Sequence, residues 1–225
     1  MSTAGSSANK KKVRYLVFFA IMVAIEAIFC FTPLGSIPII PGMVVATLAM
    51  IPVCITGVLL GVKGGTAMGF IAGLFSFIVW TFMPPNFWAI AFTPFYKLDL
   101  GGVTLGGSPW SLVICFVPRI LVGTVSALIY KAIAGKTDKN GVRITGAAVA
   151  GLCGSVVNTV GVLGGIALFM HREFSLVYAM SAYGATTLAA VLGTTILSNS
   201  IPEAIVSAIV TPSAVPIQKL IKGKL

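Results

Sequence analysis

What this chain of 225 residues lacks is charge, and acid above all: it has five Asp and Glu residues, one histidine, and charged residues amounting to 9% of the whole. A soluble domain carries nearer a quarter, so a water-soluble globular fold is excluded. The same scarcity removes most enzyme chemistry. No Ser/His, paired-Asp or His/Glu metal constellation is present, and His171 lies beside Arg172 and Glu173 at the edge of an apolar run, where it reads as a solvated flank. Cys30, Cys54, Cys115 and Cys153 all fall inside apolar runs without metal-ligand spacing. They read as small packing residues, so no disulfide, metal or cofactor is expected.

What is there is oil: 57% of residues are hydrophobic and the mean hydropathy is +1.04. The fold class expected is an all-α membrane protein with six transmembrane helices, a single integral domain over 13–225 behind a tail at 1–12, and an outward-facing pocket capped by loops. Spans are expected at 13–31, 43–62, 66–82, 110–130, 144–170 and 201–220. The first apolar run is too long for a cleaved signal peptide. Lys63-Gly64-Gly65 reads as a tight basic turn, and 83–108, rich in aromatics that include Trp88 and Tyr96, as a lid or an interfacial belt. One straight helix over 181–220 would be about 60 Å long, twice the hydrocarbon thickness. A break is therefore expected at Ser198-Asn199-Ser200-Ile201-Pro202-Glu203, with 181–197 as a helix on the outer side.

The net charge of +10 does not point to nucleic acid, because the basic residues lie in short clusters between apolar spans and no nucleic-acid-binding motif accompanies them. Six spans put Lys10, Lys11, Lys12, Arg14, Lys63, Lys131, Lys136, Lys139, Arg143, Lys219, Lys222 and Lys224, 12 of the 15 basic residues, on one side. The rule that cytoplasmic loops are positive makes that side the cytoplasm and places both termini there.

Within the spans a few polar residues share one depth. Arg119 lies about 13 Å from the outer end of its span, Glu26 about 10 Å from the outer end of the first, and Asn158 about 18 Å below Met170. Asn199 and Glu203 start the last span at a similar level. An intramembrane arginine faces a bundle interior or a cavity, not lipid, and several polar groups converging in an apolar bundle make a small-molecule site. Arg119, Asn158, Asn199, Glu26 and Glu203, with Trp88 and Tyr96 from the loop above, are the candidate substrate-binding residues. A structural Arg119–Glu26 pair is the plain alternative, and Glu203 has the further alternative of serving a helix N-terminus. Ala20 and Ala24, one turn apart, form a small-residue face on which another helix can pack.

The phrases FTPLGSIP at 31–38, IPVCITGVLLG at 51–61, FVPRILVG at 116–123, NTVGVLGG at 158–165 and IPEAI at 201–205 resemble, in this order, the substrate-binding S component of energy-coupling-factor (ECF) vitamin transporters. The resemblance spans 15–220 and is nearest the pantothenate-specific subgroup. It implies a six-helix subunit that binds a vitamin from outside and joins a transmembrane coupling subunit and two cytoplasmic ATPases. It also implies that Ala20 and Ala24 match the Ala-x-x-x-Ala motif that meets the coupling subunit. No Walker A pattern is present, so ATP hydrolysis belongs to separate chains. Arg119 suits a vitamin carboxylate, and Asn158 and Asn199 suit amide and hydroxyl groups. Pyridoxine, hydroxymethylpyrimidine, folate and niacin remain alternatives, as does an ion-coupled secondary transporter using Glu26 or Glu203.

Overall fold

The computed structural model describes residues 3–33, 36–37, 46–180 and 187–222. In hydrocarbon every backbone N–H and C=O must be satisfied internally, and the apolar runs accordingly form helices. These are α1 Thr3–Phe31, α2 Met50–Phe82, α3 Trp110–Ala134, α4 Asn140–Phe169, α5 His171–Met180, α6 Leu188–Thr195, α7 Ile201–Val210 and α8 Ala214–Lys222. Two small antiparallel hairpins, β1 Ser36–Ile37 with β2 Ala46–Thr47 and β3 Lys97–Leu100 with β4 Val103–Gly106, lie in the connections.

Among the described residues five helical stretches are long and apolar enough to cross a membrane, and one of them, α2, consists of two helical arms that meet at Gly61. At Gly61 the backbone adopts φ 76° and ψ −168°, a region open essentially to glycine alone. There the chain doubles back: a Cβ on Gly65 would lie 3.0 Å from Cα of Gly57, whereas eight residues of straight helix rise about 12 Å. The six-pass, all-helical membrane fold follows. The turn expected at Lys63-Gly64-Gly65 sits instead at Gly61, and those three residues begin the second arm. The helix of the first arm starts at Met50, not at 43; residues 43–45 lie outside the described ones.

The second arm of α2 packs on α3 along a glycine seam. Cβ atoms on Gly65, Gly69 and Gly73 would collide with Gly123, with Arg119 and Ile120, and with Phe116, respectively. Apolar burial gives helices no reason to associate in lipid, so close backbone approach and hydroxyl bonds hold the bundle. Ser126 donates to the carbonyl of Ala150 and Ser207 to that of Gly151, each at 3.1 Å, tying α4 to α3 and to α7.

The last stretch corrects the sequence reading. Among the described residues no break separates 188–197 from 201–220: α6, a π-helical turn Ile196–Ser200, α7, a 3-10 turn Thr211–Ser213 and α8 follow without interruption, and 188–218 is one span. Pro202 has no N–H and would crowd the carbonyl four residues back. The wide turn before it, in which the N–H of Ile201 donates to the carbonyl of Ile196, accommodates the proline without ending the helix. The short helix at this end is α5, whose buried Phe174 and Val177 pack with Trp88 and Ile166. Residues 181–186 of the expected outer helix lie outside the described ones.

The 83–108 segment is structured. Its 3-10 helix Phe87–Ala91 is capped by Asn86, whose side chain accepts from the Trp88 N–H at 2.9 Å, and Trp88 to Thr93 are buried. Ser111 donates to the carbonyl of Ile90 at 2.7 Å and Thr81 to Thr93 at 2.8 Å. Its Trp88–Thr93 part is thereby tied to α2 and α3. At the opposite end a polar clasp joins α3, α4, α8 and the first arm of α2. Arg143 donates to Gln218 at 2.6 Å and to Tyr130 at 3.3 Å, Tyr130 donates to Gln218 at 2.9 Å, and Gln218 donates to the carbonyl of Val58 at 2.9 Å.

Candidate functional site

Arg119 owes its position to the residue before it. Pro118, inside α3, has no N–H to give the carbonyl of Ile114, which a continuous helix would leave bare. The Arg119 side chain supplies the missing donor, Nη1 to that carbonyl at 2.9 Å. The guanidinium carbon lies 4.7 Å from the centroid of the Phe92 ring, within cation–π range. A Cβ on Gly161 would stand 2.9 Å from the Pro118 ring, so α4 yields space there with a glycine. Only 7% of Arg119 is exposed, yet its Nε is buried without a hydrogen-bond partner.

That guanidinium lines a cavity of about 190 Å³ enclosed by α1, both arms of α2, the 83–92 segment, α3, α4 and the last span. Of the residues singled out from sequence, Arg119, Asn158, Asn199, Glu203 and Trp88 all reach it. Glu203 is 1% exposed; its Oε1 accepts from Ser155 at 3.3 Å and from Asn158 Nδ2 at 3.4 Å. The π turn sets both Asn199 and Ser200 on the cavity between Thr195 and Glu203. Such turns recur at functional sites.

Two expected residues are elsewhere. Tyr96 does not line the cavity but packs from behind on the cluster that holds Trp88 and Phe92. The strand that follows it turns away, and its carbonyl accepts from the N–H of Gly107 at 3.0 Å. Glu26 is fully buried one turn behind the wall, where Cys30, a lining residue, donates its S–H to Oε1 at 3.4 Å. The plain alternative of an Arg119–Glu26 pair is not formed: among the described residues no hydrogen bond or ion pair joins the two.

The sequence reading missed Phe92, Trp80, Thr195 and Ser200 on the wall. Trp80 and Phe92 stack at 5.0 Å, a partnership between α2 and the loop that no local pattern announces. Thr195 was within reach. Read as one helix, the last span places 195, 199 and 203 on one face at four-residue spacing.

A sequence profile described as the substrate-specific component of ECF transporters matches residues 14–215. The chain belongs to this family. As an ECF substrate-specific component it is a multi-pass membrane transport subunit, which leaves the ion-coupled secondary transporter without support. It is also similar to the pantothenic acid transporter PanT of Lactococcus lactis subsp. cremoris (strain MG1363), with 34% identity over 205 residues, 89% of each chain. The segments that build the cavity wall from α2 to α7 all lie within the family match.

Proposed function

We infer that this S component binds pantothenate from the outside of a bacterial cell membrane and hands it to an ATP-driven coupling module. The module comprises a transmembrane coupling subunit and two cytoplasmic ATPases. The observation that carries the vitamin assignment is the unpartnered Nε of a buried arginine facing a cavity of metabolite size, in a chain 34% identical to a pantothenic acid transporter. Nη1 is committed to Ile114, so a carboxylate docks on the Nε and Nη2 edge, where two parallel charge-assisted bonds form. Asn158 and Asn199 serve the amide and hydroxyl groups of the same molecule. Glu26 backs the wall through Cys30.

The aromatic residues favour this vitamin over flat ones. Trp80 stacks on Phe92, Phe92 carries Arg119, and Trp88 meets Phe174 edge to face at 5.2 Å. They are engaged with one another and not set as a slot for a ligand ring. The end bearing the cavity is the outer one, and the end with Gly61, Lys63, Lys131 and Arg143 is cytoplasmic. On α1, Ala20 and Ala24 are exposed together with Leu16, Val17, Ile21 and Ile28, a face suited to the coupling subunit.

Calorimetric titration tests the clamp. Arg119→Ala is expected to weaken pantothenate roughly 10- to 100-fold, the worth of a charged hydrogen bond, while its neutral amide analogue changes little. Equal losses for both ligands refute the carboxylate assignment.

A further inference from the structure

Among the described residues Glu203 is the one acid on the cavity wall, and its burial at 1% exposure needs a reason. Capping a helix start is not that reason. The helical chain runs through from Leu188, and the N–H of Ile201 is already bonded to Ile196. The side chain instead faces α4, where one of its oxygens receives Ser155 and Asn158.

The Asn158 contact fixes more than a distance. As the side chains stand, the amide of Asn158 turns its nitrogen to Glu203 and its oxygen the other way, the orientation that an ionised carboxylate, which accepts and does not donate, enforces. That oxygen, Oδ1, is buried with no partner on a residue lining the cavity. Two residues of the wall therefore each carry a buried polar atom without a partner, a donor on Arg119 and an acceptor on Asn158, the latter backed by an acid.

We propose that Glu203 is a specificity-determining positioning residue: it locks Asn158 as an acceptor for a ligand hydroxyl or amide N–H, and its own charge bars a second anion from that end. The ligand class is then a monocarboxylate with hydrogen-bond donors distal to the acid, excluding dicarboxylates and phosphate esters of the distal hydroxyl. This rests on the pantothenate reading above and adds what the site refuses. A site built to bond a hydroxyl discriminates strongly against analogues that leave its buried groups unpaired, and like charges facing one another cost several kcal/mol.

Three ligands measured by calorimetry on the purified chain in lipid nanodiscs test this: pantothenate, its phosphate ester at the terminal hydroxyl, and the analogue lacking that hydroxyl. Wild type is expected to bind the ester at least about 100-fold and the deoxy analogue at least about 10-fold more weakly than pantothenate. Glu203→Gln, whose amide can face Asn158 either way, is expected to narrow the ester ratio to about 10-fold or less while pantothenate affinity falls no more than about 10-fold. An unchanged ester ratio in the variant overturns the proposal. If the variant does not fold, equal wild-type affinity for pantothenate and either analogue overturns it. Wild type that binds no pantothenate removes the vitamin assignment and this proposal together; the other two results remove only the proposal.

Discussion

Gly69→Ala puts one methyl group into the seam behind the cavity wall at Arg119. On the backbone as it stands, that carbon would lie 2.2 Å from the carbonyl oxygen of Arg119, 2.7 Å from Cα of Ile120 and 2.8 Å from the Arg119 carbonyl carbon. Ordinary contact begins at 3.4 Å, so α3 must retreat by about 1.2 Å. The obstacle is main chain, not a side chain that can swing aside. Overpacking of this kind costs about 1–3 kcal/mol of stability. The displacement falls on Arg119, and a binding group needs to be held within about 0.5 Å to work. Losing the proposed two-pronged carboxylate contact is expected to weaken pantothenate roughly 10- to 100-fold. Calorimetry gives the affinity and a thermal melt the stability, with Gly164→Ala as control, since nothing lies within 4 Å of a Cβ there. The control is expected to bind normally and to melt at the same temperature or higher, because Ala outperforms Gly in a helix by about 0.5–1 kcal/mol. Wild-type affinity in Gly69→Ala would refute the claim that this seam sets the arginine.

Gly61→Ala forces a side chain into a glycine-only conformation and is expected to cost about 1–3 kcal/mol, read as a lowered melting temperature. Ala20→Leu with Ala24→Leu, on the exposed face of α1, is expected to leave pantothenate affinity intact and to abolish co-purification with the coupling subunit. Gln218→Leu removes the 2.6 Å acceptor of buried Arg143 and is expected to destabilise by about 1.5–3 kcal/mol without altering binding, since the clasp lies at the far end from the cavity.

Spans were legible because a bilayer demands a long apolar run for each pass, and Arg119, Asn158, Asn199 and Glu203 were legible because polar groups are conspicuous against that background. Depth along a helix is simple arithmetic, and it brought four residues from three segments to one level before any contact was known. Rotation about the helix axis is a different quantity. Glu26 has a depth like that of Arg119, yet it faces the interior behind Cys30. Tyr96 was linked to Trp88 by proximity in sequence, but only Trp88 is in the 3-10 turn that reaches the cavity. The reversal was misplaced because charge and paired glycines at 63–65 looked more turn-like than the lone Gly61, which takes a positive φ there. The last span was divided because Ser, Asn, Ser and Pro in succession read as a stop, and nothing local distinguishes a helix that ends from one that widens for a turn.

The hairpin at Gly61 bears on how the protein is made. The first arm of α2 has only 11 helical residues, 50–60, about 16 Å against some 30 Å of hydrocarbon. Such a segment is too short to partition into the bilayer as an independent unit during synthesis. It is expected to enter as a pair with the 21-residue arm behind it, the two arms inserting together. On this expectation the glycine at the tip bears on how the two arms insert as well as on the finished shape.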